Sequence, residues 1–590
     1  MVTAMLWIIY STTSVGSVLA PQTVTVQEAG GTQSWTIVIT GNTVARKTAA
    51  TAMVFDRSGS MSEDAGDGQS KHDSLQQAAG IFVDLMLAGD GVGIVAFNDN
   101  AQVLQSVLQL GDGGLTDFNR GATKDIINGT GLNPSGSTSI GDGIFDGSGI
   151  LTAAASSFDV NAMVVLTDGM ENSPKYIADV ASLINANTYA VGLGQPQNIS
   201  VPALQEISGN NGGYLLVTGA ISTNNRFELT KYFVQILAGI SNAEIVLDPT
   251  GQLTSGHLEK VPFQLTAADS GVDVILLTPN TKIIDFRLLT PSGQIIEPWL
   301  AMSEPGMRFV LSNGVSYYRL ALPYEFMPNR FDAGGTWYAL LRIGGPRLEP
   351  GNTANGVDYS IMNPVPKVQA TASAGRGLRL QHDSIVAAEE RAKCPVVSTN
   401  AQASANNQCI VPYSIVVHAY SNISLAAHTI QTSFEPGASI QLDASLFQSG
   451  IPGITQGYIW AEVTRPNGTM VNVPMAVNET GDFVANYNTS SPGVYRFRIR
   501  AIGTSANGER FTREKTLTAA VWQGGNYVVN PSGGHNNTQK YLCELLQCLL
   551  RRNGAITPDL EKRLEALGFN LAQARECFAR LCSTASMDNR

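Results

Sequence analysis

Charge is scarce in this chain. Of 590 residues, 14% are Asp, Glu, Lys or Arg, against 43% apolar residues, and the 48 acidic side chains outnumber the 37 basic ones for a net charge of −11. No concentrated basic face appears, which argues against a nucleic-acid partner, because phosphate binding needs clustered Lys and Arg. No stretch reaches the roughly 18 uninterrupted apolar residues that a spanning helix requires. Catalytic signatures are missing as well: there is no H-E-x-x-H, no G-x-S-x-G elbow and no P-loop. None of the six His residues has a second His four positions on. A hydrolase is therefore the weakest functional class.

Cysteine is also rare, and its few positions are uneven. Cys394 and Cys409 flank a polar loop, whereas Cys543, Cys548, Cys577 and Cys582 lie on two predicted helices near the C-terminus. Pairing Cys543 with Cys582 and Cys548 with Cys577 would staple a helical hairpin, but four cysteines allow three connectivities. A four-thiolate zinc site and free thiols are the competing readings. Sequons at Asn128, Asn422, Asn467, Asn478 and Asn488 agree with a secreted, glycosylated chain.

What is abundant is β-branched and apolar sequence in short runs, punctuated by 59 glycines. The run Ala52 to Met61, AMVFDRSGSM, reads as a buried strand that delivers Asp56, Ser58 and Ser60 to the tip of a sheet. Oxygen side chains at alternate positions, on a loop that Gly59 lets turn tightly, can converge on one hard cation. A second apolar strand, Met163 to Thr167, ends in Asp168-Gly169, and Gly136-Ser137-Thr138-Ser139 opens a helical stretch between them. In a parallel doubly wound sheet the carboxyl ends of the strands share one edge, so Asp56 and Asp168 would meet there beside Thr138.

D-x-S-x-S, a threonine in a G-S-T-S loop and T-D-G, in that order, resemble the metal-ion-dependent adhesion site of von Willebrand factor type A domains. The resemblance implies a metal site of Asp56, Ser58, Ser60, Thr138 and Asp168. The three hydroxyls would touch the ion, the carboxylates would bind directly or through water, and a partner's carboxylate would fill the free position. Mg2+ suits this donor set slightly better than Ca2+. The segments KHDSLQQAAGIFVDLML, GVGIVAFN, GSTSIGDGI, VVLTDGMEN and LQEISGNNGGYLLV, with LTPSGQ and GTWYALLRI beyond them, resemble the calcium-activated chloride channel regulator family. Animal members of that family carry an upstream zinc metalloprotease domain with an H-E-x-x-H helix. This chain lacks the motif, so proteolysis is not implied for it.

At about 150 residues per domain the length suggests roughly four units. Residues 1–47 read as a weak signal peptide or a partial β-element, with strands between Thr23 and Thr40. Residues 48–241 alternate strand and helix, the pattern of an α/β, Rossmann-like domain. The amphipathic helix Arg226 to Ile240 closes this domain, and in the type A family such a terminal helix can slide when the metal site changes. An acidic segment holding Glu63, Asp64 and Asp67 reads as a solvated loop rather than a second cation site. Two β-sandwiches are expected at 242–350 and 411–523, the latter fibronectin- or immunoglobulin-like, separated by a linker at 351–410. Residues 524–590 hold the cysteine-bearing hairpin. Together these imply an extracellular or cell-surface module that captures an acidic protein ligand through a divalent cation. The alternative is a regulatory subunit of a membrane channel or surface complex.

Overall fold

The computed structural model describes residues 18–344 and 410–526, apart from short segments at 28–29, 32, 43–45, 113–116, 185–186, parts of 200–214, 223–225, 329 and 453–455. The first 17 residues, the linker with Cys394 and Cys409, and the cysteine-bearing hairpin lie outside the described residues.

An antiparallel hairpin of β1 (Val18–Gln27) and β2 (Ser34–Asn42) comes first, with Trp35 paired to Val26. The α/β unit follows. Its sheet contains β3 (Ala49–Asp56), β4 (Gly91–Phe97), β5 (Ala101–Gln109), β6 (Val160–Thr167), β7 (Thr188–Gly192) and β8 (Leu215–Val217), in the spatial order β5-β4-β3-β6-β7-β8. All neighbours are parallel except β5, which turns back against β4 at the edge. Every residue of β3 and β4 is buried, as expected for central strands covered by helices on both faces. Helices α1 (Lys71–Leu85), α2 (Phe118–Ile127), α3 (Ile140–Ala154) and α4 (Glu228–Ile240) pack around the sheet. Between β6 and β7 the chain forms a 3-10 segment, Ile177–Leu183.

Helix α1 packs on α4 across the face of the sheet. Phe82 meets Phe233 edge-on at 6.0 Å, and Phe55 of β3 lies 6.4 Å from the same ring. Each of these fully buried rings contributes about 1.5–3 kcal/mol relative to exposure. The far end of α1 is held by charge, since Arg120 and Arg319 donate to its last carbonyls, Val83, Met86 and Leu85. Cations at a helix C-terminus are favourable for the same reason.

Two β-rich units complete the described chain. In the first, a six-stranded sheet runs Thr250–Thr254, Ile410–Tyr420, Gly271–Leu277, Val315–Ala321, Met307–Leu311, with Glu244–Leu247 also on the second of these. A four-stranded sheet runs Glu259–Leu265, Gly335–Ile343, Ile284–Leu289, Ile295–Ile296. Their buried residues form one cluster around Trp337 and Phe286. The boundary expected at residue 411 falls inside this core. The strand Ile410–Tyr420 fills the gap between Thr250–Thr254 and Gly271–Leu277, because its Ile415 and Val417 complete the same apolar face. The second unit begins at Ile423, with one sheet built around Ser439–Gln448 and another around Gly493–Thr504.

Burial leaves His418 of that inserted strand without a hydrogen-bond partner for Nε2 and pushes its imidazole down to about 4. Unfolded, the ring takes up its proton near 6.5. Stability should therefore be complete above pH 6.5 and fall by up to about 3 kcal/mol as pH drops toward 4. Thermal melts across this range should show a slope that His418→Gln removes; an unchanged slope would contradict the assignment.

Candidate functional site

The site lies where β3 and β6 end. In their parallel register Phe55 stands opposite Leu166, so Asp56 and Asp168 emerge at neighbouring points on the sheet edge. Both are buried, Asp56 completely and Asp168 at 2% exposure. Asp56 Oδ1 accepts from the Ser58 amide at 2.7 Å and Oδ2 from the Thr167 hydroxyl at 2.5 Å. The Ser58 and Ser60 hydroxyls are 3.1 Å apart, and Ser60 donates to Asp168 Oδ1 at 2.9 Å.

Thr138 arrives from the third loop. Gly136 takes φ +76, which only glycine adopts freely, and its carbonyl accepts from the Gly59 amide at 3.1 Å. The loop is pinned at both flanks. Asp99 accepts from the Ser137 amide at 2.9 Å, and Asn172 Oδ1 accepts from the Thr138 amide at 2.8 Å. A Cβ added at Gly169 would lie 3.2 Å from Thr138 Oγ1 and 3.9 Å from Ser60 Oγ. The three hydroxyls and two carboxylates thus share one small space, which a side chain at position 169 would crowd.

Burial, and then the charge of Asp168, raise the Asp56 carboxyl to about 6. Two carboxylates held together in a desolvated corner are a reason to expect a cation. Among the described residues no cluster of three or more His, Cys, Asp or Glu is placed to hold a metal. The donors here are two carboxylates with three hydroxyls, an all-oxygen set that fits a hard ion such as Mg2+ or Ca2+ and not a thiolate-seeking one.

Several neighbours were not singled out from the sequence. Lys71, the first residue of α1, is 8% exposed and reaches back into the site, with Nζ 2.7 Å from Asp168 Oδ2 and 2.9 Å from Glu63 Oε2. Burial opposes its charge, but the hydrogen bonds to Asp168 and Glu63 outweigh this and hold the ammonium above its ordinary value. Glu171, buried and pushed up to about 7 by desolvation, accepts from the Gly141 and Ile177 amides and so fastens the start of α3 to the loop after β6. Asn172 and Glu171 lie within the segment VVLTDGMEN and Asp99 follows GVGIVAFN, but nothing in their spacing distinguishes support from surface. The acidic segment proves to be a closed turn in which Asp64 accepts from the Gly66 and Gly68 amides.

Residues 51–171 match the family model of the von Willebrand factor type A domain. The chain carries a von Willebrand factor type A domain. Such domains commonly bind a divalent metal through the adhesion-site motif and act as protein-binding modules rather than enzymes. The chain is also 22% identical over 266 residues to calcium-activated chloride channel regulator 4 of Homo sapiens, covering 45% of this chain and 27% of the human protein. Among solved structures it is similar to a von Willebrand factor type A protein from Catenulispora acidiphila, at 16% identity and a TM-score of 0.28, over 54% of this chain and 61% of that one. It is similar also to the PilB minor pilin from Streptococcus sanguinis, at 21% identity and a TM-score of 0.27, over 35% of this chain and 64% of that one. The chain thus spans about a quarter of the human relative and under two thirds of either structure. Among the described residues no helix is long and apolar enough to cross a membrane.

The raised Asp56 carboxyl carries a cost when ionised. Its folded value lies above the unfolded one, so this group favours the fold more as pH falls from about 6 toward 4. With chelator at pH 7.5, Asp56→Asn should melt a few degrees above the wild type, with the difference closing by pH 4. The same substitution should remove any Mg2+-induced rise in melting temperature. A variant less stable than wild type at both pH values would refute the buried-charge account.

Proposed function

We propose that the type A domain is an extracellular, metal-dependent protein-binding module. In this reading Ser58, Ser60 and Thr138 hold Mg2+, or Ca2+, through their hydroxyls, and Asp56 and Asp168 bind it directly or through water. When bound, the ion supplies a hard, electrophilic position for a carboxylate oxygen of a protein ligand. The convergence of the Ser60 hydroxyl on both Ser58 and Asp168 at the end of two parallel strands carries the proposal. Thr167 fixes the orientation of Asp56, Asn172 and Asp99 fix the Thr138 loop, and the partly exposed Ser60 and Met170 form the rim that a ligand would meet.

Hydroxyl and carboxylate ligands around Mg2+ do not lower the pKa of bound water as zinc sites do, so we read the site as binding rather than hydrolytic. The likeness to a channel regulator supports a second reading, a subunit of a membrane or surface complex. The two differ in partner and share the capture step.

Capture of surface proteins by the full chain, compared in Mg2+ and in EDTA, tests the proposal. Wild type should retain partner only in Mg2+, and Asp56→Ala and Asp168→Ala should lose at least about tenfold in retention with unchanged circular dichroism. Equal retention by wild type and both variants in Mg2+ would remove the site as the contact.

A further inference from the structure

The Lys71 ammonium is the one feature of the site that a plain metal cradle does not call for. It stands on Asp168 Oδ2 at 2.7 Å while Ser60 occupies Oδ1 at 2.9 Å, so both oxygens of this carboxylate are engaged within the domain. The Asp168 side chain is fully buried and that of Lys71 is 10% exposed, whereas Glu63, the second seat of the ammonium, is 66% exposed. The Ser60 carbonyl lies at 3.5 Å from Nζ. Lys71 is also structurally placed to stay, because it is the first residue of α1, whose Ser70 cap accepts from the Asp73 amide at 3.0 Å.

We propose that Lys71 is a built-in competitor for Asp168 that sets how tightly the type A domain holds its divalent cation. The inference rests on the metal-binding reading above. An ammonium and a divalent ion cannot both draw fully on one carboxylate, and the two like charges repel across a water-poor space where screening is weak. Cation entry therefore requires Lys71 to lean away from Asp168 and toward Glu63, which is already in contact. Glu63 thus acts as a positioning residue, giving the ammonium an alternative partner at the solvent edge. The arrangement makes affinity depend on a residue that is not itself a ligand, and it ties cation entry to the first turn of α1, the helix that packs on α4.

Opposite responses follow for the two substitutions. Isothermal titration of the full chain with Mg2+ should show Lys71→Met binding about tenfold or more tightly than wild type, because a competing charge is removed. Lys71→Arg, which keeps the charge, should stay within about threefold of wild type. Glu63→Gln should bind several-fold more weakly, since the ammonium then rests on Asp168 alone. In the Lys71→Met background Glu63→Gln should have no further effect, which separates action through Lys71 from a general loss of negative charge. If Lys71→Met does not fold, the direction of the exposed Glu63→Gln change decides. Wild type binding Mg2+ with Lys71→Met unchanged, or Glu63→Gln tightening, would overturn the competitor role and leave the metal site standing. Absence of Mg2+ binding in wild type and Lys71→Met alike would overturn both.

Discussion

Two carboxylates that should repel each other are held within one desolvated corner, and the arrangement around the site follows from that. Asp56 and Asp168 are brought there by the parallel pairing of β3 and β6, which places the carboxyl ends of both strands on one edge. Their proximity is tolerated because the surroundings answer it donor by donor. Thr167 and the Ser58 amide satisfy Asp56, and Ser60 and Lys71 satisfy Asp168. A buried carboxylate without such partners would be costly. With them, the corner is a preorganised set of oxygen donors whose own residues already supply one positive charge.

The site is continuous with the rest of the molecule through two helices. Helix α1 starts at Lys71 in the site and ends under the first β-rich unit, where Tyr317 donates to the Asp84 carbonyl and Arg319 to that of Leu85. Helix α4 packs on α1 through Phe233 and is gripped from outside by the second β-rich unit. The Gln235 amide both donates to and accepts from the backbone of Thr516, and Arg496 pairs with Glu228. The same unit reaches the edge strand, where the Val217 amide donates to Thr518. The terminal helix is therefore not a free element at the surface: its backbone-directed contacts join the type A domain to a strand almost 300 residues later in the chain. Arg513 and Asp269, both fully buried, tie that strand to the first β-rich unit as well.

Much of the α/β unit was legible because its signals are local. β3 and β6 are apolar runs that stop at a carboxylate, α3 begins where the glycine-rich loop ends, and α1 shows Leu75, Ala78, Ala79, Phe82 and Val83 on one buried face. Asp56 ends β3 and Asp168 follows β6, while Ser58, Ser60 and Thr138 lie in the turns and loop beyond strand ends, and it is the resemblance to the adhesion-site motif that groups the five. The strand Ile410–Tyr420 misled because an apolar run records that it is buried but not against which sheet. Its pairing with Gly271–Leu277 joins residues more than 130 positions apart, and nothing in either run encodes the other's address. Lys71 was overlooked for a related reason, because a basic residue at the head of an amphipathic helix reads as solvated surface until the neighbouring strand ends are in place.

By itself, then, the sequence determined the order of strands and helices in the type A domain and placed Asp56 and Asp168 at strand ends, because hydrophobic periodicity and turn chemistry act over a few residues. Only the tertiary structure decided which sheet the late strand completes, that Lys71 stands on Asp168, and that α4 is clamped by a distant strand. Those are contacts between segments far apart in the chain, settled by which surfaces and charges remain to be covered once the local elements have formed.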